Sequence, residues 1–331
     1  VPDQMHHVYF LLARINVPDR FFISTQTRGV TDYLRFVTGG IAGIAHIEGR
    51  RPEIEPLGAE LWSLRDAQGR ALMTDADPRW WTGHAPLLFP FVGRSRDDVY
   101  RLDAHEYAMP QHGFARRKSF ALEEQADDRI LLRLDADVTT RAIYPFDFRL
   151  DMGFVLEDAT LRMTATITNM GEARMPFSFG YHPAFAWPLP FGGTVEDHRI
   201  IFDKPEPAPI RRVGDEPGLI ARASEPSPVQ GDRLAPTYTM FEGDALIWDD
   251  LASRSLTWGV PGRPHLKIDF PDTPWLGLWQ KPGAHYLCVE PWAGMADPVG
   301  FDGDVWDKPG IMALLPGQSR SFRMDVTLVG V

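Results

Sequence analysis

The segment GYHPAFAWPLP, residues 180–190, sets His182 among apolar and aromatic residues and three prolines. A histidine in such a stiffened stretch is held in place rather than left on a solvated face. PQHGFAR, residues 110–116, offers a second histidine, His112, two residues after a proline. CVEPWAG, residues 288–294, places Glu290 after an apolar run and before Pro291 and Trp292. Two histidines and one carboxylate, each in an apolar setting, suit general acid–base work on a small polar substrate.

Each of these residues also has a plainer reading. His182 fits a core histidine satisfied by a backbone carbonyl, and His112 a turn residue. A buried carboxylate is expensive unless paired or protonated, so Glu290 fits a salt bridge, with Arg94 at the end of LLFPFVGR as the partner. In the functional reading Glu290 sits at a pocket mouth, with Trp292 as an apolar wall. Aromatic faces suit sugar rings, which are apolar on one side. Arg94 then becomes a donor fork for substrate hydroxyls. Asp244, in EGDALIW, reads as a turn aspartate before a strand.

The elements that must position these groups are strands. Strand-like runs fall at 59–64, 130–134, 161–167, 198–202, 256–258, 266–270, 286–289 and 322–329. In LRMTATITN, Leu161, Met163, Ala165 and Ile167 alternate with Arg162, Thr164 and Thr166, the pattern of a half-buried antiparallel strand. Short turns rich in Asp, Gly or Pro separate the runs, and helical periodicity is scarce. The expected fold is all-β, a large antiparallel sandwich or barrel. Residues 51–331 are expected to form one domain, and residues 1–50 an N-terminal extension or edge strands. Residues 203–236 hold Pro205, Pro207, Pro209, Pro217, Pro226, Pro228 and Pro236, which predicts a long excursion with little regular structure.

Bulk properties exclude several classes. The formal charge of -11 over 331 residues argues against nucleic acid and against an anionic membrane surface. No run of 18 apolar residues is present, so no membrane span is expected. The apolar patch 8–13 lacks a basic flank and a cleavage site and is not read as a signal peptide. A single cysteine, Cys288, forbids an internal disulfide and fits a reducing, cytoplasmic setting. GGIAG, residues 39–43, does not match a dinucleotide fingerprint, and FDGDVWD, residues 301–307, lacks the closing glutamate of a calcium loop. No cofactor or metal is expected.

In order along the chain, GAELWSLRDAQGR, ADPRWW, APLLFPFVGR, PQHGFARRKSF, YPFDFRL, MPFSFGYHPAFAWPL, GDALIWDDLASRSLTW, CVEPWAGMADP and DKPGIMALLPGQSRSF resemble the aldose 1-epimerase (galactose mutarotase) family, LacX-like branch. The resemblance spans residues 57–330. It implies a β-supersandwich and cofactor-free interconversion of the α and β anomers of free aldoses. It implies Glu290 as the base at the anomeric hydroxyl and His182 as the acid at the ring oxygen. His112 would steady the ring oxygen or the open-chain carbonyl. Arg94 and Asp244 would hold sugar hydroxyls. In the productive state Glu290 is expected to be ionised and His182 protonated, giving a bell-shaped pH profile.

This chain also departs from the family pattern. Its first 50 residues are longer and less regular than the usual opening strands. Arg116 and Arg117 follow the HGFA motif and would suit a phosphorylated sugar, as in hexose-6-phosphate 1-epimerases. Those enzymes usually carry His-Thr-Tyr-Phe where this chain has HPAF from His182, which favours a neutral aldose. A non-catalytic carbohydrate-binding protein is the rival from another class, since a binder needs no acid–base pair. The partner expected is a small sugar, bound by a monomer or homodimer.

Overall fold

The computed structural model describes residues 34–35 and 53–330. The expectations for residues 1–50 and for GGIAG lie outside the described residues, apart from Leu34–Arg35, which pairs with Glu53–Glu55.

Two large antiparallel sheets carry the fold. The nine-stranded sheet runs Arg233–Leu234, Arg199–Phe202, Ser255–Gly259, His265–Asp269, Ser319–Val329, Thr160–Asn169, Phe148–Glu157, Arg129–Asp135 and Ala121–Gln125. Its centre follows the alternation in the sequence. Leu161, Met163, Ala165 and Ile167 are buried, as are their cross-strand neighbours Leu156, Phe154, Met152 and Leu150. Pairing on both edges pins this register, because a one-residue slip would turn every apolar side chain to solvent. All eight strand-like runs of the sequence coincide with strands: five are longer than read, while 59–64 and 198–202 are trimmed and 266–270 is shifted by one residue.

The other sheet runs Ile220–Glu225, Ile210–Val213, Leu246–Trp248, Trp275–Trp279, Tyr286–Ala293, Phe179–Tyr181 and Leu87–Leu88, with Ala184–Ala186 also on Tyr286–Ala293. Leu287, Val289, Leu276 and Leu278 from this sheet join Met163, Phe154 and Phe322 from the first in one apolar core. Full burial of each such side chain stabilises the fold by about 1.5–3 kcal/mol. Tyr181 ties the layers together: its hydroxyl accepts the Ala165 N–H at 3.0 Å and donates to the Phe322 carbonyl at 2.8 Å.

The segment 203–236 is more regular than its prolines suggest. Ile210–Val213 and Ile220–Glu225 form the edge of the eight-stranded sheet, and Arg233–Leu234 edges the nine-stranded one. The prolines all fall outside these short strands, where no ladder N–H is needed. They punctuate a chain that crosses from one sheet to the other and back. No helix among the described residues is long and apolar enough to cross a membrane.

Candidate active site

Every residue of Tyr286–Ala293 is buried. Leu287, Val289 and Ala293 point into the shared core, so period two sends Tyr286, Cys288, Glu290 and Trp292 to the outer face of the sheet. That face is roofed by loops. Trp80 and Trp81 pack over Tyr286 and Cys288, and Trp279 joins them from the neighbouring strand.

His182 reaches the same face by a break in pairing. Phe179 and Gly180 pair with Ala293 and Trp292, and Ala184 pairs with Cys288. The chain between them leaves the ladder. The Val289 N–H bonds the Pro183 carbonyl at 3.1 Å, so Pro291, two residues on, turns its missing N–H into the break. A proline is tolerated in this central strand because no ladder donor is required there. Tyr181 faces the core, and His182 therefore faces outward. Gly180 is needed beside it, since a Cβ there would stand 2.6 Å from the Trp292 ring.

His112 is set by a turn. Its N–H donates to the Gly93 carbonyl at 2.7 Å, and its Nδ1 accepts the Gly93 N–H at 3.1 Å. The neutral ring therefore carries its proton on Nε2. Gly113 follows with φ 72°, and a Cβ there would lie 2.1 Å from the Phe89 carbonyl oxygen. Only glycine fits a backbone approach this close.

These pieces meet at one cavity of about 380 Å³, the scale of a small-ligand site. His112, His182, Glu290, Asp244 and Trp292 all line it. His182 Nε2 stands 3.2 Å from Glu290 Oε2, and the His112 and His182 rings meet edge to face at 5.7 Å. Trp81 lies against His182 with centroids 4.9 Å apart. Asp244 is a turn aspartate, as the sequence suggested, and it also lines the cavity. It sits at a turn with φ 70°, accepts the Ala245 N–H at 2.7 Å before strand Leu246–Trp248, and reaches the cavity wall.

Arg94 is placed differently. Its guanidinium forks onto Asp98 at 2.7 and 2.6 Å and donates to the Pro217 carbonyl at 3.3 Å. Its neighbours Gly93 and Gly218 line the cavity; Arg94 itself does not. It is therefore not the ion-pair partner of Glu290. Glu290 instead faces an imidazole, and no arginine pairs with it among the described residues.

Burial sets the electrostatics. Desolvation raises the Glu290 pKa well above the usual carboxylate value, and Asp244 adds to the rise. Desolvation lowers His182 to about 3. It also holds His112 well below the imidazole range, with His182 and Arg116 adding to the effect. The expectation of an ionised Glu290 facing a protonated His182 concerns the productive state; burial by itself favours the neutral form of each group. Both descriptions hold one proton on the pair, so they differ in where it sits and not in count.

The sequence reading passed over several wall residues. Trp80, Trp81, Trp279 and Lys281 line the cavity, together with Arg116, which the sequence had singled out for a phosphorylated sugar. Glu60 is buried behind them and accepts the His84 and Ala85 N–H groups at 2.7 and 2.8 Å, which anchors the end of the Trp80–Trp81 loop. The Trp-Trp doublet was the available signal. FDGDVWD is a capped turn, in which Asp304 accepts the Trp306 and Asp103 N–H groups.

The family model described as aldose 1-epimerase matches residues 44–310. Protein LacX of Lactococcus lactis subsp. lactis, plasmid form, is 30% identical over 286 residues, covering 84% of this chain and 96% of the relative. A galactose mutarotase related enzyme from Lactobacillus acidophilus superposes with a TM-score of 0.79 at 27% identity, covering 90% of this chain and 97% of its own. A galactose mutarotase-like protein from Lactobacillus casei gives 0.78 at 28%, covering 89% and 99%.

Proposed function

Since the chain belongs to the aldose 1-epimerase family, we propose that it interconverts the α and β anomers of a free aldose by opening and closing the ring. The observation that carries this reading is the Glu290–His182 pair, 3.2 Å apart at the wall of a tryptophan-lined cavity. A binder has no use for a desolvated acid facing a desolvated base.

The reaction starts from the one-proton pair. Sugar entry gives both groups polar partners and favours the ionised arrangement, with the proton on His182. Glu290 takes the proton from the anomeric hydroxyl while His182 protonates the ring oxygen, and the C1–O5 bond breaks. Rotation about C1–C2 presents the other carbonyl face. Closure then returns both protons by the reverse path. His112, with its proton on Nε2, donates to the ring oxygen or the carbonyl. Each proton-transfer group contributes about 10²–10⁴-fold. Asp244 accepts from sugar hydroxyls, and the indoles cover the apolar ring face. Arg94 serves by holding the 217–218 loop.

A second reading, a phosphorylated aldose, is favoured by one observation. Arg116 and Lys281 line the cavity without a salt bridge to any carboxylate among the described residues. A cytoplasmic setting belongs to the proposal and rests on the single free cysteine. Saturation-transfer NMR of anomer exchange, on a panel of aldoses plus glucose 6-phosphate, tests both readings. Acceleration that Glu290→Gln removes supports the epimerase, and the preferred sugar decides between them. No acceleration on any sugar would overturn the catalytic reading.

A further inference from the structure

We infer that the cavity wall is also a binding site for one divalent cation of the zinc class, held by Cys288, Glu290 and His182. The ion would inhibit by occupying the atoms the reaction uses. That consequence rests on the proposed epimerase reading; the metal site does not.

One ligand atom from each of the three residues lies within 4.8 Å of the others, and all three residues are buried. Zinc bonds of ~2.0–2.3 Å in tetrahedral geometry place ligand atoms roughly 3.3–3.7 Å apart. The His182–Glu290 separation of 3.2 Å already matches that spacing. Closing the thiol side takes a side-chain adjustment of about 1 Å, on the same scale. The frame behind the ligands is rigid. Cys288 and Glu290 are two apart on one strand face, with Trp279 and Gly277 paired to them, and Ala184 pairs with Cys288 from the other side.

The donor set selects the ion. Mg²⁺ and Ca²⁺ take oxygen ligands, whereas a thiolate, an imidazole and one carboxylate suit zinc. A thiolate and a carboxylate carry two negative charges between them. One divalent cation neutralises both, as a dry site requires. Glu290 and His182 line the cavity, and Cys288, which does not line it, has its sulfur within 4.8 Å of their ligand atoms. An ion arriving through the cavity would have three protein ligands and an open fourth position toward solvent or sugar.

Cobalt(II) titration of the purified chain tests this directly. Cys288 is the only cysteine in the sequence, so a thiolate-to-cobalt charge-transfer band in the near ultraviolet can come from no other residue. A saturable band at one cobalt per chain, displaced by Zn²⁺, is the expected result, with Zn²⁺ inhibiting anomer exchange and a chelator reversing it. Cys288→Ala should abolish the band and weaken zinc inhibition by about 100-fold or more, since even outer-shell changes cost 10–100-fold. Metal-free exchange should stay unchanged. Circular dichroism checks that this variant folds, and Glu290→Gln, which keeps the thiol, should weaken cobalt binding independently. No band in the wild-type chain, or undiminished zinc inhibition in Cys288→Ala, would overturn the proposal. A band without turnover of any sugar would support the metal site and remove the epimerase reading alone.

Discussion

Thr160–Asn169 and Tyr286–Ala293 are both central strands paired along both edges, yet only the first shows its alternation in burial. Its inward residues are buried and its outward ones half-exposed, whereas Tyr286–Ala293 is buried along both faces. The inward faces do the same work in one core. The outward faces differ because loops cover one of them. Arg162, Thr164 and Thr166 remain at the surface of the first strand and make ladder contacts such as Arg162 to Asp325 at 3.3 Å. On the second strand the Trp80–Trp81 loop and Trp279 cover Tyr286 and Cys288 and pack against His182 beside Glu290. The same period-two geometry thus yields a passive surface in one sheet and a desolvated acid–base pair in the other.

The largest effect should separate the two outer faces. Glu290→Gln should lower kcat by about 10²–10⁴-fold, read by saturation-transfer NMR. It should also raise the melting temperature near neutral pH. The buried carboxyl keeps its proton in the folded state above the pH where the unfolded chain releases it, so the wild-type fold loses stability as pH rises above about 4.5. A melting temperature that falls instead would mean that Glu290 stabilises the fold and would break the contrast.

Met163→Ala, on an inward face, should do the reverse. A cost of about 2–5 kcal/mol in denaturant unfolding is expected for this core truncation, with kcat/KM per folded molecule unchanged. A change in KM would show that the nine-stranded sheet shapes the site as well as supporting it.

The pH–rate profile sharpens the account of the pair. Activity requires one shared proton. The acid limb, where His182 takes a second proton, should lie near 3 and not near 6.5. The alkaline limb, where Glu290 loses the shared proton, should lie well above 4.5. An acid limb at the ordinary imidazole value would show that His182 is solvated in the working enzyme. The smallest effect is expected for Arg162→Ala on the open face. Its ion pair with Asp325 is partly exposed, and such pairs contribute about 0–1 kcal/mol.

The core strands were legible because one face meets solvent and the other does not, as Leu161, Met163, Ala165 and Ile167 show. Tyr286–Ala293 was half legible. The run to Val289 read as a strand, but Pro291 masked its continuation. The prolines of 203–236 hid edge strands for the same reason, since a proline reports a missing donor and not where the neighbouring strands pair. The Arg94–Glu290 pairing was misread because a guanidinium after an apolar run looks the same whether it faces a buried glutamate or the Asp98 carboxylate four residues away.

What the sequence determined by itself is the all-β alternation, the chemical types of the site residues, and the family its ordered motifs resemble. These are local properties of spacing and side chain. Tertiary structure alone decided which groups touch. The break between Gly180 and Ala184 turns His182 toward Glu290, which lies more than a hundred residues away in the chain. The loop above them removes water, which shifts both groups toward their neutral forms and leaves one proton between them. Contact and desolvation are properties of the packed chain, and no residue spacing encodes them.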